Sequence, residues 1–239
     1  MRGPHICGTR MFCYGGCMGL RERKKEETRA TLAWAAIRLI VERGYDKVLV
    51  EDIANEAGVS PRTFNNYFSS KAAAVASRHL DRCRRMAEGL RARPDGEDLW
   101  TAITEAMVAE TVPGPEVKAH PRPDRKKWAA GLQKMMATPA VQAETLRAAA
   151  IGEEAIADAV GDRVGIDPAT DIYPRLVAAA VTAANNVASR QFMSEGAGEE
   201  RIRDLLVDAL GQIAAGLPPP RRRQPAIAGD PVDQTGRTG

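Results

Sequence analysis

Val50-Glu51-Asp52-Ile53-Ala54-Asn55-Glu56-Ala57-Gly58-Val59-Ser60-Pro61-Arg62-Thr63-Phe64-Asn65-Asn66-Tyr67 is the stretch on which the fold turns. It predicts two short helices with a tight break between them. The first, Val50–Ala57, places Ile53, Ala54 and Ala57 as its apolar positions. Gly58-Val59-Ser60 interrupts it. Ser60-Pro61 restarts the chain as helix, because a serine hydroxyl accepts from the free amides of a first turn and proline is pre-organised for the first helical position. The second helix, Pro61–Tyr67, gathers Arg62, Thr63, Asn65, Asn66 and Tyr67 on a polar face, while Phe64 and Phe68, four apart, turn inward. Helices shorter than about 12 residues are marginal in water, so this pair needs braces.

The flanking sequence supplies them. A helix is expected over Glu22–Arg43, with Leu32, Ala35, Ala36, Leu39 and Ile40 on one face and Gly44 ending it. Tyr45–Leu49 then connects. After Phe68 and Ser69, Ser70 can cap a long helix over Lys71–Arg91. Two short helices joined by a glycine-containing turn and held between longer ones are built as a helix-turn-helix, whose second short helix enters the DNA major groove. Arginine pairs bidentately with guanine and asparagine with adenine, which makes Arg62, Asn65 and Asn66 candidate base readers. Thr63, Tyr67 and Lys71 suit phosphates, which set register rather than sequence. A capped, solvated surface helix without a ligand is the plainer reading; the turn, the braces and the local charge weigh against it.

Charge follows the same division. Residues 1–93 hold 18 Lys and Arg against 10 Asp and Glu; residues 94–216 hold 12 against 19; residues 217–239 hold 4 against 2. A basic first third beside an acidic middle directs the first segment to a polyanion. With 44% hydrophobic but only 5% aromatic residues, the composition is that of a globular helical protein. The longest apolar runs, such as Leu176–Ala184, fall short of the roughly 20 residues that span a bilayer. Glycines and a proline interrupt residues 1–20, so no export signal is expected there and the protein is placed in the cytoplasm. Cys7, Cys13 and Cys17 crowd that segment at spacings unlike a zinc knuckle. It reads as an unstructured leader, and Met18 can itself serve as a start; a chain lacking residues 1–17 should fold and bind DNA unaided.

Further helices are expected at Glu97–Thr111, Arg125–Ala137, Pro139–Arg163, Pro168–Glu195 and Glu199–Ala215. Four prolines make Val112–Pro123 a loop or broken helix. The Pro- and Arg-rich residues 217–239 cannot bury a core. The expected fold is therefore all-α with about nine helices: a leader at 1–20, a three-helix helix-turn-helix domain at 21–71, a C-terminal domain at 72–216, and a tail at 217–239. Val177, Val181, Ala184 and Ala188 share a face of the penultimate helix; Ile202, Leu205, Leu206, Ala209 and Ile213 stripe the last. Both stripes could serve a two-fold interface, or ordinary core. Trp100, Met107, Trp128, Leu132, Met135 and Phe192, with Asn185 as a polar member, are the candidate lining of an apolar effector pocket.

Enzymatic signatures are missing from the sequence. His5, His79 and His120 stand in no metalloprotease spacing, and there is neither a nucleophile elbow, a P-loop nor a dinucleotide-binding glycine pattern. No cofactor and no metal site is expected. A ligand- or protein-binding adaptor that does not bind DNA is the alternative to a DNA-binding protein.

Arg29–Lys71 resembles the DNA-binding domain of the TetR family of repressors. The likeness lies in Glu42-Arg43-Gly44-Tyr45, in Val50-Glu51-Asp52-Ile53-Ala54, and in Ala57-Gly58-Val59-Ser60 followed by Thr63, Phe64, Tyr67, Phe68, Ser70 and Lys71. The resemblance implies an Ω-shaped homodimer joined by the last two helices of each protomer, an effector cavity in the C-terminal domain, and an operator released when a small molecule binds. It carries DNA contacts onto Arg62, Thr63, Asn65, Asn66, Tyr67 and Lys71, and backbone contacts onto Thr28 and Arg29. Two positions depart from the family. Arg62-Thr63-Phe64-Asn65 stands where Gly-Thr-Leu-Tyr is frequent. Leu49 replaces a capping threonine, a loss of about 1 kcal/mol.

Overall fold

The computed structural model describes residues 19–112, 115–119, 124–195 and 199–218. Regular structure among them is wholly helical. The first brace is α1 (Leu20–Arg43), closed by Gly44 at φ +91°, and a 3₁₀ turn at Tyr45–Lys47 leads to α2 (Val50–Glu56) and α3 (Pro61–Tyr67). The second brace is α4 (Lys71–Arg91). Then come α5 (Leu99–Ala109), α6 (Pro115–Lys118), α7 (Arg125–Met136), α8 (Pro139–Val164), α9 (Tyr173–Glu195) and α10 (Glu199–Ala214). With α6 a single turn inside the expected broken stretch, nine longer helices remain among the described residues, as the periodicity implies. The leader, the tail and Cys7, Cys13 and Cys17 lie outside the described residues.

The predicted caps form. Ser60 Oγ accepts from Thr63 N at 3.1 Å, and Ser70 Oγ from Ala73 N at 3.0 Å. Leu49 cannot cap α2, but Asp52 Oδ2 reaches back to accept from Leu49 N at 2.8 Å, which recovers one half of a capping box.

Three expected helix starts move. α1 begins at Leu20 rather than Glu22. Before α5, Glu97 pairs with Arg93, and Asp98 Oδ2 accepts from Thr101 N at 3.0 Å, so the helix begins at Leu99. α9 begins at Tyr173 rather than Pro168. Asp167 spends itself on a separate turn, its Oδ1 accepting from Ala169 N at 2.8 Å, and Asp171 Oδ1 takes up Tyr173 N at 2.7 Å. The proline is held by the end of α8 instead: a Cβ on Gly161 would lie 2.5 Å from Ile166 O and 2.9 Å from Pro168 Cδ.

Burial falls into two clusters. The first joins α1, α2, α3 and the start of α4 through Leu39, Ile53, Phe64 and Phe68, and it also takes Trp128 and Met135 from α7 and Val141 from α8. The second lies among α4, α5, α8, α9 and α10, around Met86, Leu90, Ile103, Ile156, Val181 and Leu210. The two meet along α4. Gly152 lets α8 close on that helix, since a Cβ there would stand 2.8 Å from both Cβ and Sγ of Cys83.

Candidate nucleic-acid interface and internal cavity

α3 is held by its two aromatic rings. Phe64 is fully buried and Phe68 nearly so, with centroids 5.6 Å apart. That anchoring leaves Arg62, Asn65 and Asn66 exposed on the opposite side, with Thr63 and Tyr67 partly exposed beside them. The Thr63 hydroxyl lies 2.9 Å from Ser60 Oγ and is therefore shared with the cap.

The N-terminal turns of α1 lie alongside. Arg21, Lys24 and Lys25 share a surface concavity with Thr28, Thr63, Asn66 and Tyr67. Three cations beside a polar, donor-rich helix face make a surface suited to a phosphate backbone. Sequence reasoning passed over these three, although the run Arg21-Glu22-Arg23-Lys24-Lys25 was legible. Thr28 is in the concavity, with its Oγ1 donating to Lys24 O at 2.8 Å.

Two expected contact residues turn inward. Arg29 donates from Nε to Asp81 Oδ2 at 3.3 Å, and its guanidinium lies 4.9 Å from the centroid of the Phe68 ring. It ties α1 to α4 and to the end of α3. Lys71 Nζ donates to Tyr45 O at 2.6 Å and Val48 O at 2.8 Å, over the Tyr45 ring. An ammonium has three N–H groups, so one remains for an outside acceptor.

Between α4, α5, α7, α8, α9 and α10 lies a cavity of about 280 Å³. Of the expected lining, Met107, Leu132, Asn185 and Phe192 border it. Trp128 and Met135 do not: they belong to the first core, where the Trp128 ring packs 5.5 Å from that of Trp34. Trp100 sits half-buried against the second core, away from the cavity. Residues that sequence reasoning missed are His79, Arg82, Cys83 and Glu110. The first three, with Met86, follow the three-to-four spacing of one face of α4, the signal that could have found them. Burial, and then the Arg82 charge, hold the His79 pKa below its ordinary value. Burial pushes the Cys83 thiol up. Desolvation by the surrounding protein, and then the Arg78 charge, push the Arg82 guanidinium down, although the residue keeps exposed surface. A larger groove of about 880 Å³ runs between α1 and α4, but the Arg29–Asp81 and Arg38–Glu56 ion pairs that border it answer one another's charge.

The expected dimer residues also change place. Val177, Val181, Ala184 and Ala188 are at most 5% exposed, and Leu205 and Leu206 at most 7%, all within one protomer. Ile202, Ala209 and Ile213 are partly buried against the same core. Side chains so covered have little surface left for a second copy. The outward face of α9 carries Leu176 and Val187 instead, 56% and 52% exposed, with Ala183 between them. Val207 is the corresponding apolar residue on α10, 45% exposed.

No described helix is long and apolar enough to cross a membrane.

Comparison with known proteins gives one answer along the chain. Residues 97–218 match the family model described as the MftR C-terminal domain, and residues 34–76 match that of bacterial regulatory proteins of the tetR family. The chain is 31% identical over 176 residues to the HTH-type transcriptional regulator TcmR of Streptomyces glaucescens, covering 73% of this chain and 76% of that one. It is 36% identical over 78 residues to the uncharacterized HTH-type transcriptional regulator YvdT of Bacillus subtilis, covering 32% of this chain and 40% of that one. The fatty acid degradation regulator FadR of Bacillus halodurans superposes with a TM-score of 0.51 at 17% identity, over 80% of this chain and 96% of that one; the likeness is one of fold.

Proposed function

The chain belongs to the TetR family of bacterial regulatory proteins, and we propose that it is a cytoplasmic repressor that grips a palindromic operator as a homodimer and releases it when a small molecule enters the cavity. Residues 21–71 read the DNA and residues 72–216 pair and sense. The observation that carries the DNA reading is α3: Phe64 and Phe68 are buried, so Arg62, Asn65 and Asn66 face outward together. Lys24 and its basic neighbours flank them as phosphate contacts. An adaptor without DNA binding has no use for that arrangement of donors.

A two-fold partner is called for because operator half-sites lie about one DNA turn apart. The outward stripe of α9, Leu176, Ala183 and Val187, joined by Val207 of α10, is the apolar surface for that partner. Coupling between cavity and DNA runs along α4. Arg82 faces the cavity, while its neighbour Asp81 holds Arg29, which lies over Phe68 at the end of α3. A ligand that displaces this part of α4 changes the tilt of α3, and a small change in recognition-helix separation costs operator affinity.

The decisive experiment is a gel shift of the full chain on DNA from upstream of its own gene. A retarded band is expected. Arg62→Ala should weaken it about five- to 150-fold, equivalent to the ~1–3 kcal/mol of one bidentate base contact, with unchanged melting. Equal affinity for that DNA and for scrambled DNA would leave the adaptor reading in its place. For pairing, Val187→Asp should shift the sedimenting species from dimer to monomer; a species that stays dimeric relocates the interface.

A further inference from the structure

The cavity contains a charge that the surrounding protein does not answer. Arg82 lines the cavity, and its side chain is exposed there rather than packed against a protein partner. Among the described residues it makes no hydrogen bond and no ion pair. The carboxylate beside it, Glu110, is already held by Arg85 at 2.8 Å. Arg78 and Arg85 add positive charge nearby, and His79 is biased toward its neutral form. Glu153 is close enough to Cys83 to raise its pKa, but makes no ion pair with Arg82. The Arg82 guanidinium donors are therefore open to a ligand that enters the cavity. Arginine presents a planar fork of donors that matches a carboxylate with two parallel bonds.

The opposite wall is polar but neutral. Thr182, Asn185 and Ser189 lie three and four apart on α9 and border the cavity. Apolar groups fill the space between the two walls. We propose that the cavity binds a small organic carboxylate, its acid group paired with Arg82, its apolar body against Met86, Met107 and Phe192, and any second polar group toward Asn185. This deepens the effector reading and rests on it. The volume of about 280 Å³ falls at the low end of the ~300–1,000 Å³ of small-molecule sites. It suits a short alkanoate or a substituted benzoate rather than a nucleotide-bearing conjugate.

The test is calorimetric titration of the full chain with octanoate, 1-octanol and octylamine, three probes of one length that differ in head group. Octanoate should bind about ten- to hundredfold more tightly than octanol, the range of a charge-assisted hydrogen bond, and octylamine should not bind. Arg82→Met should abolish the octanoate advantage, and Arg82→Lys should recover part of it in a chain that keeps its positive charge. Octanol matching octanoate, or both Arg82 variants binding octanoate like the parent, overturns the carboxylate assignment and leaves an apolar effector site. No binding of any probe also overturns the assignment. In that case Thr182→Trp, which fills the cavity, separates the two readings: unchanged retardation of the upstream DNA removes the effector site as well.

Discussion

The core beneath the helix-turn-helix and the core around the cavity are built from different side chains. In the first, the rings of Trp34 and Trp128 meet on one side, and those of Phe64 and Phe68 on the other, with Leu39, Ile40 and Ile53 among them. In the second, the buried side chains are alanines and branched aliphatics such as Ala102, Ala157, Leu90 and Ile156, with Met86 and Met107 at the cavity, and about 280 Å³ stays open. Base edges can be read only if the recognition helix keeps its register, and a close-packed aromatic core holds it there. A sensing site needs room, and flexible methionines can rearrange around what enters. The chain thus divides rigidity and space between two ends of α4.

The comparison breaks most visibly by truncation. Phe64→Ala should lower stability by about 3–5 kcal/mol, with loss of DNA binding, whereas Met107→Ala at the cavity wall should cost about 2 kcal/mol, the lower end for its type. Denaturant midpoints measure both, and equal losses would erase the contrast. A smaller effect is expected where α8 closes on α4. Gly152→Val must push against Cys83, whose Cβ would be 2.8 Å away, and overpacking of this kind costs about 1–3 kcal/mol. Its melting temperature should fall while the α3 face is left intact. An unchanged melt would mean that α4 and α8 can separate freely.

The smallest effect is on the pH dependence. The folded His79 pKa lies below the ordinary 6.5, through burial and then Arg82. The unfolded chain therefore holds a proton that the folded chain has released, and stability is lost as pH falls below 6.5 through the lower folded value. His79→Gln should flatten that slope as pH falls from about 7, as followed by thermal melts. A slope that survives the substitution assigns it to other groups.

Much of the reading end is legible in the sequence. Ser60, Pro61 and Ser70 mark helix starts through contacts three residues away, and Phe64 and Phe68 share a face at a spacing of four. The sensing end is legible only in part. Met107, Leu132, Asn185 and Phe192 border the cavity, but Trp128 and Met135 belong to the first core because α7 packs on α1. Bulk and flexibility mark a side chain as core or pocket material without saying which space it fills.

By itself, then, the sequence determined the helical class, the two short helices and their caps, and the polar face of Arg62, Asn65 and Asn66. All of these rest on interactions within a few residues. Only the tertiary structure decided that Arg29 and Lys71 turn inward, that Val177 and Val181 are covered by their own protomer, and that Arg82 faces a cavity. Helical periodicity states which residues share a face; which neighbour covers that face is settled by helices far along the chain, through packing that no local pattern encodes.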